Sequence, residues 1–205
     1  MIAYKFLRSG RIGVFSEFQW PEPGVWVQAS GDVAACRSGI HACRRTDLPW
    51  WLADELWEIE LADEVRVDEH KLVAPAGRLV SRVDGWTPQC GRDYAEACAL
   101  RARDRTGEAL SRAGHAGAAR ELAGSSTLDE LLDASRKLAT EIPDAHISLT
   151  ILGDGALQAL ADAPSATAYI AAHAANRLNG PAAYRAERVW QSRWLCERLG
   201  LRADR

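Results

Sequence analysis

Nowhere in this chain does an apolar run approach the ~18 residues that a membrane-spanning helix needs. The opening stretch Met1-Ile2-Ala3-Tyr4-Lys5-Phe6-Leu7-Arg8 is too short and too polar for a secretion signal. A basic excess is missing as well. Lys+Arg number 25 against 28 Asp+Glu, a formal net charge of −3, which argues against a general nucleic-acid binder while leaving room for a local basic patch. Lysine is scarce beside arginine, a coding bias and not a functional signal. The five cysteines are an odd number and include no close Cys-x2–4-Cys pair. Without a secretion signal they read as reduced thiols, and the protein as cytoplasmic. Gly-rich phosphate loops, dinucleotide fingerprints, fixed-period repeats and low-complexity linkers are absent too.

What is present is an ordinary globular composition, 47% hydrophobic and 26% charged, unevenly distributed along the chain. Six of the eight tryptophans (Trp20, Trp26, Trp50, Trp51, Trp57, Trp86) precede position 87, and alanine dominates after it. The expected fold class is α+β, with an antiparallel, β-rich, Trp-rich part over residues 1–86 packed against an α-helical part over 87–205. In the first part Ile2, Tyr4 and Phe6 alternate as in a half-buried strand, and Gly10 and Gly13 punctuate a turn. Residues 15–24 read as an ordered loop and Val25-Trp26-Val27 as a short strand. Thr46 or Asp47 is placed to cap a short helix through Trp50, Trp51 and Leu52. Over Leu56–Leu61 the residues Trp57, Ile59 and Leu61 face one way and Glu58 and Glu60 the other. Further strands are expected at Lys71–Ala74 and Arg78–Val83.

In the second part, helices are expected from Asp93 to about Arg105, from Thr127 to Pro143, from Ser165 to Leu178 and from Ala182 to Leu199. Thr127 and Glu130 have capping-box spacing, and the following apolar stripe is broken only at Ser135. The segment Ile147–Ile151 suits either strand or helix, and Gly153-Asp154-Gly155 reads as a turn.

Four groups of residues could carry chemistry. Cys36, His41 and Cys43 are metal-ligand or nucleophile types, but a structural zinc site wants four ligands, His70 would have to complete this one, and no metal is expected. Glu58 and Glu60, on one strand face, would bind a ribose or stabilise a developing cation if that face lines a cleft; on an open face they are solvated charges. The tryptophans, above all adjacent Trp50 and Trp51, serve either as core or as stacking surfaces for a planar ligand. Tyr169 and His173, one helical turn apart, read as a structural pair.

The succession of a strand carrying Tyr4 and Arg8, the stretch Ser38-Gly39-Ile40-His41-Ala42, the aromatic segment with Trp50 and Trp51, and the strand Leu56-Trp57-Glu58-Ile59-Glu60-Leu61 loosely resembles the ADP-ribosyltransferase fold. The Ser-Gly-Ile-His-Ala-Cys core also resembles an uncharacterised bacterial and phage family, a likeness that implies no activity. Both cover about the first 85 residues. The first implies NAD as a possible cofactor and makes Arg8, His41 and Glu58 or Glu60 the nearest counterparts of its site residues. The candidate catalytic residues are thus His41, Glu58 and Glu60, and the candidate ligand contacts Tyr4, Arg8, Trp50 and Trp51. The sequence lacks that fold's Ser-Thr-Ser triplet, and His41 stands where an aromatic residue is usual. The expectation is therefore a small nucleotide-dependent, transferase-like enzyme with a Trp-lined cleft. The alternatives are a non-catalytic binding protein, phage- or immunity-related, and an enzyme cyclising an apolar small molecule through Glu58 or Asp54.

Overall fold

The computed structural model describes residues 1–30, 38–62 and 64–201. It is α+β, with strands between residues 2 and 82 and long helices from 88 to 199. By compactness the chain divides into two units, one comprising Met1–Pro88 with Ser192–Arg205 and the other Gln89–Gln191. The division falls two residues beyond Trp86, and the C-terminal segment groups with the β-rich unit. Within that unit the Ser192 hydroxyl donates to the Thr46 carbonyl, and the Cys196 thiol donates to the Arg45 carbonyl.

Among the described residues the first unit has eight strands: β1 (Ile2–Arg8), β2 (Ile12–Gly13), β3 (Val27–Gln28), β4 (Ile40–Ala42), β5 (Glu55–Leu61), β6 (Arg66–Asp68), β7 (Lys71–Ala74) and β8 (Ala76–Arg82). They form an antiparallel five-stranded sheet, order β2-β1-β5-β8-β3, and a three-stranded one, order β4-β7-β6. A two-way backbone bridge between Tyr4 and Cys43 ties β1 to the end of β4. The core lies between the sheets, with Ala3, Leu7, Trp57, Ile59, Leu61 and Leu79 from one and Ile40, Ala42, Leu72 and Ala74 from the other. Glycine is required where they meet: a Cβ at Gly77 would stand 2.9 Å from the Ile40 side chain and 3.2 Å from the Glu60 carbonyl oxygen.

Strand β1 departs from the half-buried expectation. Ala3 and Leu7 fill the core while Tyr4 and Phe6 are buried on the opposite face, where the Phe6 ring meets Trp86 edge-on at 5.5 Å. The strand expected at Val25–Val27 is instead Val27–Gln28, paired with Gly77 and Ala76. The helix expected to be capped by Thr46 or Asp47 is a 3-10 turn over Arg45–Trp50, preceded by Arg44 and closed by no side-chain cap. The turn starts one residue before Thr46, so Thr46 and Asp47 both lie inside it and not at its cap, and Asp47 ion-pairs with Arg44.

In the helical unit α1 (Pro88–Arg112), α2 (Ala116–Gly124), α3 (Leu128–Glu141), α4 (His146–Leu160), α5 (Pro164–Asn179) and α6 (Pro181–Leu199) follow one another. Residues of α6 from Ser192 onward belong to the first unit. Helix α1 outruns the expected Asp93–Arg105 at both ends. Helix α5 opens on Pro164 at its first position, not on a Ser165 cap; proline's fixed φ and missing N–H suit that position. The capping box forms as expected, with Glu130 N donating to Thr127 Oγ1 at 3.2 Å and Thr127 N to Glu130 Oε2 at 3.2 Å. Thr127→Ala is expected to lower the helical unit's unfolding free energy by about 1 kcal/mol, read from urea melts.

The Gly153-Asp154-Gly155 turn does not exist; both glycines lie inside α4. They are contact points between helices. A Cβ at Gly153 would lie 2.8 Å from the Ser135 hydroxyl of α3, and one at Gly155 3.4 Å from the Ile170 side chain of α5. The break in the α3 stripe has the same origin. Ser135 is fully buried, its hydroxyl bonded back to the Leu132 carbonyl at 2.9 Å, and it is small where α4 comes close.

Charge is also buried in this unit. Glu187 is 1% exposed and receives Arg101 at 2.9 Å and Arg105 at 2.8 Å on one carboxylate oxygen. Arg188 bonds Gln191, which in turn donates to the Ala168 carbonyl. Tyr169, His173 and Tyr184 form a row of rings, with the Arg188 guanidinium over both tyrosines, so the expected Tyr169–His173 pair belongs to a larger cluster. Among the described residues no helix is long and apolar enough to cross a membrane.

Candidate functional site

The sequence-derived candidates separate into distinct places in the β-rich unit. Glu58 and Glu60 leave β5 on the face opposite Trp57 and Ile59, as the alternation requires. Each already has a cross-strand partner from β8. The Ser81 hydroxyl donates to Glu58 at 2.9 Å, and Arg78 pairs with Glu60 at 2.7 Å while its guanidinium covers the Trp26 ring. Tyr4 is buried, its amide and carbonyl both engaged by Cys43.

His41 sits at the middle of β4, paired in register with Val73. Burial first, then the nearby Lys5 and Lys71 charges, hold its imidazole below the ordinary histidine value against an opposing hydrogen bond with the Gly39 backbone. Cys43 is buried in an apolar setting near the Asp47 carboxylate, and both effects raise its thiol far above the usual cysteine value, the reverse of what a nucleophile needs. Cys36 falls outside the described residues, and among those described no group of three metal-ligating side chains gathers.

Trp50 and Trp51 do come together with other groups. The Trp50 ring stacks on the His70 imidazole, centroids 3.9 Å apart and planes within 10°. His70 Nδ1 lies 3.3 Å from Asp47 Oδ1, and Asp47, buried beneath, binds Arg44 at 2.6 Å through its other oxygen. Trp51 Nε1 donates to the His70 carbonyl at 2.7 Å and Arg44 to the Glu69 carbonyl at 2.7 Å. The 3-10 turn thus grips the β6–β7 turn through two carbonyls and one ring. A buried carboxylate that fixes one imidazole nitrogen leaves the other, His70 Nε2, to accept or deliver a proton; the exposed Glu69 carboxylate stands 3.5 Å from it.

A short loop connects this corner to β1. Phe15, 86% exposed, meets the Trp51 ring edge-on at 6.4 Å, and two residues later Glu17 pairs with Arg8 at 2.7 Å. Arg8 Nε is buried and has no hydrogen-bond partner among the described residues. One loop therefore clasps a tryptophan face and a guanidinium. Glu17 itself is held at φ 54°, a left-handed conformation unusual for a non-glycine residue.

Asp54 and Glu55, next along the chain, are structural. Asp54 accepts from the Ser9 amide and hydroxyl at 2.8 and 3.0 Å. Glu55 accepts from the Gly10 and Arg11 amides at 3.0 and 3.3 Å and from Trp57 Nε1 at 3.0 Å. Together they hold the β1–β2 turn whose Gly10 and Arg11 are left-handed.

Sequence reasoning passed over Glu55 and Lys5, took Asp47 only as a helix cap, and considered His70 only as a spare metal ligand. Trp50 and His70 are twenty positions apart, and no local pattern announces that pairing. A short Asp-x-x-Trp segment beside two arginines was the only local hint. The chain matches no protein-family model, no curated protein and no solved structure.

Proposed function

We propose that the β-rich unit binds a nucleotide-like ligand and serves a group-transfer enzyme, cytoplasmic and loosely ADP-ribosyltransferase-like, with NAD as the candidate cosubstrate. The observation that carries this reading is the loop that joins Phe15 on Trp51 to Glu17 on Arg8. A purine or nicotinamide ring stacks beside Trp51 in place of the exposed Phe15 ring, and a phosphate takes the place of Glu17 on Arg8. Both displaced groups are weakly held. Glu17 is 79% exposed, and such an ion pair contributes about 0–1 kcal/mol. Base stacking on an aromatic side chain contributes about 1–3 kcal/mol. His70, oriented by Asp47, is the acid–base group in this reading, in preference to His41. Glu58 and Glu60 keep their structural partners, or exchange Ser81 and Arg78 for ribose hydroxyls.

Titration with AMP, adenosine and NAD, followed by tryptophan fluorescence and melting temperature, tests the proposal. AMP is expected to bind more tightly than adenosine, Trp51→Ala to weaken both, and Arg8→Ala to weaken AMP alone. An unchanged signal at millimolar AMP and NAD, or full affinity in both variants, would overturn it.

A further inference from the structure

Lys5 has no part in the proposed nucleotide site, and its setting differs from that of the other lysines. The sequence holds only Lys71 and Lys137 besides it. Each of those has a carboxylate partner, Asp68 at 3.2 Å and Glu121 at 2.9 Å. Among the described residues Lys5 has none. It points from β1 to the core face, across from Trp57 in register, with its ammonium nitrogen 5.2 Å from the centre of the Trp20 ring. Its hydrogen bond goes to the carbonyl oxygen of His41, 2.6 Å away. Part of the residue is exposed to solvent, while its ammonium end is buried.

We propose that Lys5 is a reactive amine that forms an imine with a small apolar aldehyde or ketone, beside the Trp20 ring and the His41 carbonyl. The neutral nitrogen adds its lone pair to the carbonyl carbon, forming a C–N bond. One proton passes from nitrogen to the carbonyl oxygen, giving a carbinolamine, and water then leaves as the C=N bond forms. The balance is amine plus carbonyl to imine plus water, with no change in oxidation state. Burial without a countercharge supplies the neutral amine. It lowers the Lys5 ammonium to about 8, against an opposing effect of Cys43, so about one amine in ten is free at pH 7. The Trp20 ring beside the amine sets the ligand class: flat and apolar, with no carboxylate.

Wild-type protein treated with benzaldehyde and cyanoborohydride, then mapped by peptide mass spectrometry, tests this. Lys5 is expected to acquire one benzyl group at least tenfold faster than Lys71 or Lys137, with a pH midpoint near 8, and the advantage disappears in urea. 4-Carboxybenzaldehyde, similar at the reacting carbonyl but charged, should label Lys5 at least tenfold more slowly than benzaldehyde does. Labelling of Lys71 or Lys137 at the rate of Lys5 would overturn the proposal. Equal labelling of Lys5 by the two aldehydes would overturn the ligand class. Neither outcome bears on nucleotide binding at Trp51 and Arg8, so the two proposals fail separately.

Discussion

Glu55→Ala is expected to destabilise the β-rich unit by about 3–5 kcal/mol, which for a unit of this size consumes much of its stability. Three donors lose their acceptor together: the Gly10 amide, the Arg11 amide and the Trp57 indole N–H. The side chain is 10% exposed, so water does not readily replace it. Arg11 also holds a left-handed φ of 63°, which this carboxylate helps to maintain. Glu55→Gln keeps one acceptor oxygen but turns an N–H₂ toward other donors, and should cost roughly half as much. The effect has a pH signature. Burial raises the Glu55 carboxyl, but the Trp57 N–H, the Gly10 amide, Arg82 and the Arg11 amide together bring it below the ordinary glutamate value of 4.5. A carboxyl depressed in the folded state contributes stability that is complete above its unfolded value and is lost as pH falls through its folded one. Urea melts should therefore show the wild type approaching Glu55→Gln as pH drops below 4.5, the two separating again at pH 7.

Gly153→Ala is expected to destabilise the helical unit by about 1–3 kcal/mol, the range for overpacking a close-packed interface. On an isolated helix the same change would stabilise by about 1 kcal/mol. The sign reverses because the new methyl would stand 2.8 Å from the Ser135 hydroxyl, and that hydroxyl is on a fully buried residue bonded to its own helix. Removing the hydroxyl removes the obstacle. The Ser135 Cβ is 3.7 Å from the same point and the nearest Leu132 carbon 3.8 Å, both ordinary contacts. Ser135→Ala combined with Gly153→Ala should thus recover the loss and match or exceed the wild type. Thermal melts of the two single variants and the double variant close the cycle, with a coupling of about 1–3 kcal/mol. Additive single effects would mean that α3 and α4 do not meet through this pair.

These two cases mark where the sequence could be read and where it could not. The alternation over Leu56–Leu61 sorts Trp57 and Ile59 from Glu58 and Glu60 correctly, because a strand's period of two is local. The capping box at Thr127 and Glu130 is equally local, and it forms. Gly153-Asp154-Gly155 looks like a turn because glycine and aspartate favour turns in isolation. The deciding neighbours, Ser135 and Ile170, lie on other helices, where a small residue is needed more than a good helix former. Likewise nothing near Trp50 announces His70, and Asp47 looks like a cap but lies inside the turn, where Arg44 and His70 claim its two oxygens. Among the candidate ligand contacts, the sequence placed Arg8 and Trp51 in one unit. Their connection runs through Phe15 and Glu17, in a stretch legible only as an aromatic, proline-rich loop.

The most direct measurement is a two-dimensional nitrogen–proton NMR titration with AMP and, separately, adenosine. The account predicts that AMP moves the Trp51 Nε1–H and Arg8 Nε–H resonances saturably and together, and that adenosine moves Trp51 while leaving Arg8 in place. Resonances of Trp51 and Arg8 that stay fixed at millimolar AMP, in protein whose amide spectrum shows it folded, would contradict it.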